Sequence, residues 1–389
     1  MFSNFMYVSC AFDELYAGGA AFPEQVLLRD GGISADARSH GIIVVEQVYE
    51  AASYGTPFSP IIFTQDNAST RALWGMYDSL ARKVAAPSVL TTIEDALSFG
   101  SVIYCGRRAD RRIVYETHRL NDRPAVSLAS AELLGAEERA EKLSGRTFLF
   151  LGSAGSFNYG HFLVDDLPRL KAAEALANSP SLTVVMPKYG EAIDSMRRQA
   201  VQAFLGSGID MLFLSPDKLY RFDQLHYVSP VSLHPVQKNP RAVAWTVERA
   251  LALADAAPPQ AEERILVARH AAAGRVLVNQ AAVADALARL GYTLLHPEKL
   301  SFLDQVRRFA GAGQVIGLMG AAMTNTMFSP ERTSLLYLAP DGWSEPFYWD
   351  LAMTRQQSYR IAFGDALMPG VPPHRSDFAM DVEALLALM

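Results

Sequence analysis

The strongest constraint on the fold is an alternation of short apolar runs with amphipathic stretches, which begins at Arg146. The apolar runs have the length of buried strands, and the stretches between them carry apolar residues at helical spacing. The runs of this first series are TFLFLG, SLTVVMP, MLFL and LHYVS. Because strands that alternate with helices form parallel sheets, the pattern predicts an α/β unit that extends to residue 257.

A second series follows a stretch rich in alanine, proline and charge, ALADAAPPQAEER, which we interpret as a linker. Its apolar runs are ILVAR, YTLLHP, QVIGL and SLLYLAP. A chain of 389 residues is long enough to bury two hydrophobic cores. We therefore predict an α/β fold of two facing doubly wound, Rossmann-like domains. Ligands are expected in the cleft between them, at the carboxyl ends of the strands.

The predicted domain bounds follow from these two series. An N-terminal domain takes residues 1–257, of which 1–145 are mixed or β-rich and 146–257 are α/β. A C-terminal domain takes residues 258–355. The last residues, 356–389, form a C-terminal segment, and one arrangement for this segment is a return to the N-terminal domain.

Charge and cysteine content exclude several classes of function. A formal net charge of −6 gives no positive surface for a phosphate backbone, so we expect no nucleic acid partner. The two cysteines offer no zinc-ligand spacing, and no metal is expected. No apolar run is long enough to span a bilayer, and the N-terminus lacks the basic start of a secretion signal. We expect a cytoplasmic protein, with peripheral attachment to the inner membrane as the alternative.

The segment GLMGAAMTN contains the most prominent glycine turn of the second series. Gly317 and Gly320 permit a close backbone approach, and Ala321 keeps bulk away from the start of the following helix. A helix N-terminus of this kind can hold a phosphate or pyrophosphate group. The alternative is a turn that uses small residues only to pack.

Three polar candidates lie at or after the end of the strand ILVAR in the same series. Arg269 is placed at the carboxyl end of this strand, where its guanidinium can reach a ligand and fork onto phosphate oxygens. Arg275 and Asn279 lie in the loop and helix start that follow. Two arginines beside a glycine turn could hold a diphosphate without a metal. The alternatives are a solvated surface position for Arg275 and a helix N-cap for Asn279.

A candidate acid–base pair lies in the first series. His161 and Asp165 are four residues apart, which places both on one face of a helix, and Asn158 precedes that helix. A histidine beside a carboxylate can take the proton from an attacking hydroxyl. The alternative is a surface ion pair of little energetic value. Asn158 can cap the helix or contact an acceptor. The aromatic residues at 347–349 are assigned no role.

Three segments in order resemble glycosyltransferase family 61: NYGHFLVDDLPRL, ARHAAAGRVLVNQ and HPEKLSFLDQVRRFAGAGQVIGLMGAAMTNTMFSPERTSLLYLAP. The likeness spans roughly residues 146–360, and the ordered set is far more specific than any one segment. The resemblance implies a GT-B architecture and an inverting hexosyl or pentosyl transfer without bound metal or other cofactor. It also implies a nucleotide-sugar donor, usually a UDP-sugar, and a glycan acceptor in capsular polysaccharide biosynthesis.

The resemblance also implies roles for individual residues. It assigns the donor site to the C-terminal domain and the acceptor side to the N-terminal domain, where Asp165 is the expected base. The acceptor side takes Asn158, His161 and Asp165. The donor site takes Arg269, Arg275, Asn279, Gly320, Ala321 and Asn325.

One position departs from the family pattern. The family has a histidine before the Gly-Ala pair of the glycine turn, and this chain has Met319. A methionine cannot supply the hydrogen bonds or charge of a histidine. The departure keeps open a non-catalytic nucleotide-sugar-binding protein that regulates or scaffolds glycan assembly. A second alternative is another enzyme with the same architecture, an epimerase or a phosphorylase.

Overall fold

The computed structural model describes residues 25–26, 38–55, 61–63, 71, 75, 82–108, 111–117, 137–179, 181–233, 235–256, 263–269, 275–343 and 345–389. The chain divides into two compact units. Unit 1 comprises Met1–Glu50 and Ala86–Val231, and unit 2 comprises Ala51–Ala85 and Ser232–Met389.

The described strands, in chain order, are β1 (Gln25–Val26), β2 (Ile42–Tyr49), β3 (Ala52–Gly55), β4 (Ile61–Phe63), β5 (Arg82–Ala85), β6 (Ser88–Phe99), β7 (Val102–Cys105), β8 (Arg112–Val114), β9 (Glu141–Leu143), β10 (Thr147–Phe150), β11 (Leu182–Pro187), β12 (Asp210–Leu214), β13 (Leu219–Val228), β14 (Glu263–Val267), β15 (Thr293–Leu295), β16 (Ala312–Leu318), β17 (Ser334–Pro340), β18 (Ser358–Ala366) and β19 (Phe378–Ala379).

The α-helices of the described ranges are α1 (Tyr159–His161), α2 (Glu191–Leu205), α3 (Pro240–Leu253), α4 (Gln280–Ala288), α5 (Phe302–Ala310), α6 (Phe347–Thr354) and α7 (Val382–Leu386). A π-turn, Phe162–Asp166, continues α1, and 3₁₀ helices cover Leu167–Ala173 and Ala321–Phe328.

Unit 1 is built on one mixed sheet with the order β1-β8-β7-β6-β13-β10-β11-β12. Strands β10, β11, β12 and β13 are parallel to their partners in this group, whereas β6 is antiparallel to β13 and to β7. The apolar cluster on this sheet includes Phe150, Val185 and Tyr227. The predicted parallel α/β series from residue 146 is confirmed. Of the segment before it, the described residues lie mostly in strands.

Unit 2 is built on a sheet with the order β15-β14-β16-β17-β18-β19. Strands β14 to β18 are parallel to their neighbours in this sheet, and the short β19 is antiparallel to β18. Strand β4 adds to β18 in parallel, and β3 and β5 form a separate antiparallel pair. This arrangement confirms a second parallel α/β series.

The unit bounds differ from the predicted domain bounds in three places. Helix α3, predicted as the end of the N-terminal domain, packs within unit 2 against α5 and the 3₁₀ helix Ala321–Phe328. The apolar face of α3, which includes Val243 and Val247, is buried in unit 2. Burial of this face explains why α3 packs in unit 2. The sequence pattern could not show this, since a linker separates α3 from the strands it accompanies.

The other two differences concern residues 51–85 and 356–389. The first segment joins unit 2 because β4 pairs with β18. The last residues stay in unit 2 rather than returning to the N-terminal domain, because β18 pairs with β17 along its length and α7 packs on α4. The pairing of β4 with β18 and the packing of α7 on α4 both join residues far apart in sequence, which local periodicity does not reveal.

Within the described ranges, we find no helix whose length and hydropathy would allow it to cross a membrane.

Candidate functional site

The first group of candidate residues lies in unit 1, after the carboxyl end of β10. The chain turns at Ser153, whose carbonyl accepts hydrogen bonds from the Ser156 backbone and hydroxyl. Asn158 then caps α1, because its Oδ1 accepts a hydrogen bond of 2.8 Å from the Gly160 N–H. The predicted capping role of Asn158 is therefore present, and it fixes where the helix begins.

The helical segment that follows is not one regular α-helix. Helix α1 ends at His161, the π-turn Phe162–Asp166 follows, and a 3₁₀ helix starts at Leu167. Pro168 lies in the first turn of that 3₁₀ helix, and because proline has no N–H it cannot extend the helical hydrogen bonding from the residues before it. π-turns inside helices occur frequently at functional sites.

His161 and Asp165 meet as predicted. His161 Nδ1 lies 2.7 Å from Asp165 Oδ2, and the two side chains are 15% and 11% exposed. Gly155 faces the imidazole: a Cβ atom built at residue 155 would lie 2.7 Å from His161 Cγ. The pair is thus held against a glycine and still reaches solvent, which suits a carboxylate that must meet a substrate hydroxyl.

Behind this pair is a buried charged cluster whose place in the site was not evident from the sequence. Asp166 is fully buried and accepts a 2.6 Å hydrogen bond from the Ser156 hydroxyl; burial raises the pKa of its carboxyl. Arg169, also buried, donates to the Gly152 carbonyl and lies over the Tyr227 ring. Burial opposes the charge of Arg169, but Tyr227, Asp166 and Asp165 raise its pKa. This cluster fixes the loop that carries His161 and Asp165.

The N-terminal part of the chain also supports this segment. The Tyr49 hydroxyl donates a 2.8 Å hydrogen bond to the Pro168 carbonyl, and Lys171 lies over the Tyr49 ring at 4.9 Å from its centroid. Burial raises the pKa of the Tyr49 phenol, which therefore remains a hydrogen-bond donor. Strand β2 thereby fastens the 3₁₀ helix that follows Asp165.

The second group of candidate residues lies in unit 2, where β14 and β16 are neighbouring parallel strands. Arg269 follows β14, and Gly320 follows β16. A Cβ atom at Gly320 would lie 2.6 Å from Arg269 Nη1, so the guanidinium rests directly against the glycine backbone. Burial lowers the pKa of Arg269. Only a glycine at position 320 allows the Arg269 side chain to cross the turn in this conformation.

Arg275 lies next to Arg269 and is 5% exposed. It donates a 2.6 Å hydrogen bond to the His374 carbonyl and another to the Met319 carbonyl, and its guanidinium stacks on Trp343 at 3.9 Å from the ring centroid. Burial and the charge of Arg269 lower the pKa of Arg275 to about 9. The predicted alternative, a solvated surface position for Arg275, is wrong because these three partners enclose it.

Tyr348, which had no predicted role, contributes to the same group. Burial lowers the pKa of both arginines, and the Tyr348 phenol partly opposes that fall. Tyr348 also lies in a row of aromatic rings with Tyr337 and Tyr359. Burial raises the pKa of Tyr348 itself. Trp343 and Tyr348 lacked a signal in sequence because both lie after β17, far along the chain from the arginines they accompany.

The two glycines of the turn are required by different contacts. Gly317 has no room for a side chain, because a Cβ atom there would contact Met323 Sδ and lie 2.9 Å from Val267 Cβ. Packing therefore explains Gly317, whereas the contact with Arg269 explains Gly320. The helix that follows is a 3₁₀ helix, and Ala321 at its start is half-buried.

Two asparagines of the predicted donor site make hydrogen bonds within the protein. Asn325 is fully buried and donates to Gln305 Oε1 at 2.8 Å and to the Ala322 carbonyl at 3.1 Å. Asn279 precedes α4 without capping it; its amide instead donates to the Met380 carbonyl and accepts from the Met380 N–H. The expected N-cap bond of Asn279 is thus replaced by a contact with the C-terminal segment.

Met319, which departs from the family pattern, is fully buried. Its N–H donates to the Leu338 carbonyl at 2.9 Å, and its own carbonyl accepts from Arg275. Met319 therefore binds Arg275 through its backbone carbonyl. Among the residues that the structure describes, no group of three or more His, Cys, Asp or Glu could hold a metal ion.

The fold and these residues define an α/β protein with a carboxylate–histidine pair in one unit and a buried arginine pair in the other. Residues 159–336 match the Glycosyltransferase 61 family, a span of slightly less than half of the 389 residues. The match supports the resemblance to that family and, with it, a glycosyltransferase that uses a sugar donor and an acceptor. The comparison with curated proteins gave no match.

Proposed function

We propose that the protein is an inverting, metal-independent glycosyltransferase of GT-B-like architecture. In this proposal it moves a hexosyl or pentosyl group from a nucleotide sugar, a UDP-sugar, to a glycan acceptor in capsular-type polysaccharide biosynthesis. It acts in the cytoplasm, with peripheral attachment to the inner membrane as the alternative. Unit 2 binds the donor, and unit 1 supplies the base.

The pairing of Arg269 with Arg275 carries this proposal. Two guanidinium groups that are largely buried and close enough for one to lower the pKa of the other repel each other. A diphosphate relieves that repulsion and accepts hydrogen bonds from both groups, which are forked donors suited to phosphate oxygens. The same positive charges stabilise the nucleotide diphosphate as it leaves, where charge develops in the transition state.

Asp165 and His161 supply the acid–base chemistry. The Asp165 carboxylate takes the proton of the acceptor hydroxyl, and His161, at 2.7 Å, orients that carboxylate. The acceptor oxygen then forms the new bond to the anomeric carbon as the bond from that carbon to the diphosphate oxygen breaks. Because attack and departure take place on opposite sides, the configuration inverts.

The test is UDP release from a panel of UDP-sugars with glycan acceptors, with and without EDTA. We expect Asp165→Asn to lower turnover by about two orders of magnitude and to leave UDP affinity close to that of the wild type. The matched control is Asp217→Asn, an exposed aspartate of unit 1 that accepts a hydrogen bond from the nearby Ser215 hydroxyl. Full turnover by Asp165→Asn would exclude Asp165 as the base, and loss of activity in EDTA would exclude the metal-independent mechanism.

Met319 favours a second candidate, a nucleotide-sugar-binding protein without transferase activity. The side chain at this position is apolar and fully buried, and it offers a bound donor no polar group. This candidate predicts that UDP-sugars bind and raise the melting temperature, whereas no acceptor yields a product. Product formation by the wild-type protein with any acceptor excludes it.

A further inference from the structure

Arg275 is held by a part of the chain that lies beyond the region matched to the glycosyltransferase family. Its guanidinium donates a 2.6 Å hydrogen bond to the carbonyl of His374, whereas the family match ends at residue 336. The residues on either side of His374 therefore affect the orientation of the Arg275 guanidinium.

The backbone after Arg275 is paired with the same C-terminal segment. Phe378 donates its N–H to the Val276 carbonyl at 3.0 Å, and the Val278 N–H returns to the Phe378 carbonyl at 2.9 Å. Leu277 and Phe378 are both buried in the apolar cluster of unit 2. Asn279 completes the pairing through two hydrogen bonds to the Met380 backbone.

One side chain takes part in this pairing directly beside the arginine. Asp377 Oδ1 accepts a 2.7 Å hydrogen bond from the N–H of Val276, the residue that follows Arg275. A carboxylate that accepts from a backbone N–H makes a stronger bond than a neutral acceptor. Since it fixes the peptide group attached to Arg275, it limits the directions that the arginine side chain can take.

We propose that Asp377 is a positioning residue for Arg275 and that the segment 374–380 is therefore part of the diphosphate site. The inference rests on the proposed function, because it assumes that Arg275 binds the nucleotide diphosphate. Asp377 does not contact the ligand itself; it acts through the backbone of Val276. Loss of this bond leaves Arg275 charged but lets its guanidinium move away from the phosphate oxygens.

The experiment is a double-mutant cycle on UDP affinity, measured by titration calorimetry. We expect Asp377→Ala to weaken UDP binding by about tenfold. In an Arg275→Ala background the same substitution should have no further effect, because the arginine through which it acts is gone. Asp377→Asn, which keeps an oxygen acceptor, should recover most of the affinity.

Asp381→Ala is the matched control. Asp381 also accepts one backbone N–H, that of Ala384, and it lies just after the segment 374–380, where it caps α7. We expect it to lower the melting temperature and leave UDP affinity unchanged. If Asp377→Ala does not fold, Asp377→Glu, whose longer side chain displaces the carboxylate, takes its place in the cycle.

Three results would overturn the proposal. Wild-type affinity in Asp377→Ala, or an equal loss in both backgrounds, shows that Asp377 does not act through Arg275. Both of these results leave the proposed function intact if Arg275→Ala weakens UDP binding. Absence of UDP binding by the wild-type protein overturns the positioning role and the donor site together.

Discussion

Gly320 lies directly beneath the guanidinium of Arg269, since a Cβ atom at position 320 would lie 2.6 Å from Arg269 Nη1. The two residues follow neighbouring parallel strands, β14 and β16, so the sheet brings them together. The backbone of Gly320 is extended, with φ at 171°, and other residues can adopt that conformation. The need for glycine at this position therefore comes from the arginine that crosses it.

This relationship predicts the effect of Gly320→Ala. The added methyl group displaces the Arg269 side chain, so we expect UDP affinity to fall by about tenfold with little change in melting temperature. Gly208→Ala is the control, because nothing lies within 4 Å of a Cβ atom at that residue. Equal UDP affinity in both variants and the wild type would show that the path of Arg269 over Gly320 does not matter for binding.

Gly155→Ala should separate turnover from donor binding. A Cβ atom at residue 155 would lie 2.7 Å from His161 Cγ, so the substitution pushes the imidazole away from Asp165. We expect the turnover number to fall by about tenfold or more and UDP affinity to stay unchanged. Steady-state kinetics together with a UDP titration checks this. A loss of UDP affinity without a loss of turnover contradicts the assigned role.

His374 should make UDP binding depend on pH. Burial and the charges of Arg375 and Arg275 lower the pKa of its imidazole in the free protein. A bound diphosphate adds negative charge beside these groups and favours the protonated imidazole, so the pKa rises on binding. Between the free and bound pKa values, binding takes up a proton, and affinity rises as the pH falls.

Calorimetry in buffers of different ionisation enthalpy measures this proton uptake. The uptake should disappear in His374→Gln and persist in Glu383→Gln, an exposed residue of α7. Uptake of the same size in His374→Gln would assign it to another group. The lowered pKa of His374 in the folded protein also affects stability. Because the folded state disfavours the protonated imidazole, the contribution of His374 to the free energy of unfolding falls as the pH falls through the pKa of the unfolded state.

The buried ion pair of Lys238 and Asp350 should be important for the stability of unit 2. Lys238 Nζ lies 3.0 Å from Asp350 Oδ2, the side chains are 2% and 4% exposed, and the ammonium also lies over the Phe347 ring. Asp350→Ala leaves a buried charge without its carboxylate, so we expect the free energy of unfolding to fall by about 3–5 kcal/mol.

Asp210→Ala is the control for that measurement. Asp210 pairs with Arg146 at 2.6 Å, but the two side chains are 56% and 46% exposed. Exposed pairs contribute about 1 kcal/mol or less. Urea unfolding of both variants measures the two changes in the free energy of unfolding. A decrease for Asp350→Ala as small as that for Asp210→Ala would contradict the role given to the buried pair.

The sequence was sufficient for features that depend on local spacing. The two parallel series follow from apolar periodicity, and the meeting of His161 and Asp165 follows from their separation by four residues. Arg269 could be placed at a strand's carboxyl end for the same reason. Each of these predictions uses only residues that are close together in the chain.

Features that depend on contacts between residues far apart in the chain could not be predicted from the sequence. Arg275 is enclosed by Met319, Trp343 and His374, and Asn279 bonds to Met380. Neither these contacts of Arg275 and Asn279 nor the pairing of β4 with β18 produces a periodic pattern in the sequence. Arg169 is a different case: its position in NYGHFLVDDLPRL was visible, but an arginine in an apolar stretch does not reveal whether it will be buried beside Asp166 or reach solvent.

In the proposed function, Arg269 and Arg275 bind the diphosphate of a nucleotide sugar. The most direct test is thermal stabilisation by a panel of nucleotides and nucleotide sugars without metal, on the wild type and on Arg269→Ala, because a ligand that binds only the folded state raises the apparent stability. We expect a selective increase in melting temperature with UDP and UDP-sugars that Arg269→Ala abolishes. No increase with any nucleotide, or an equal increase in Arg269→Ala, would contradict it.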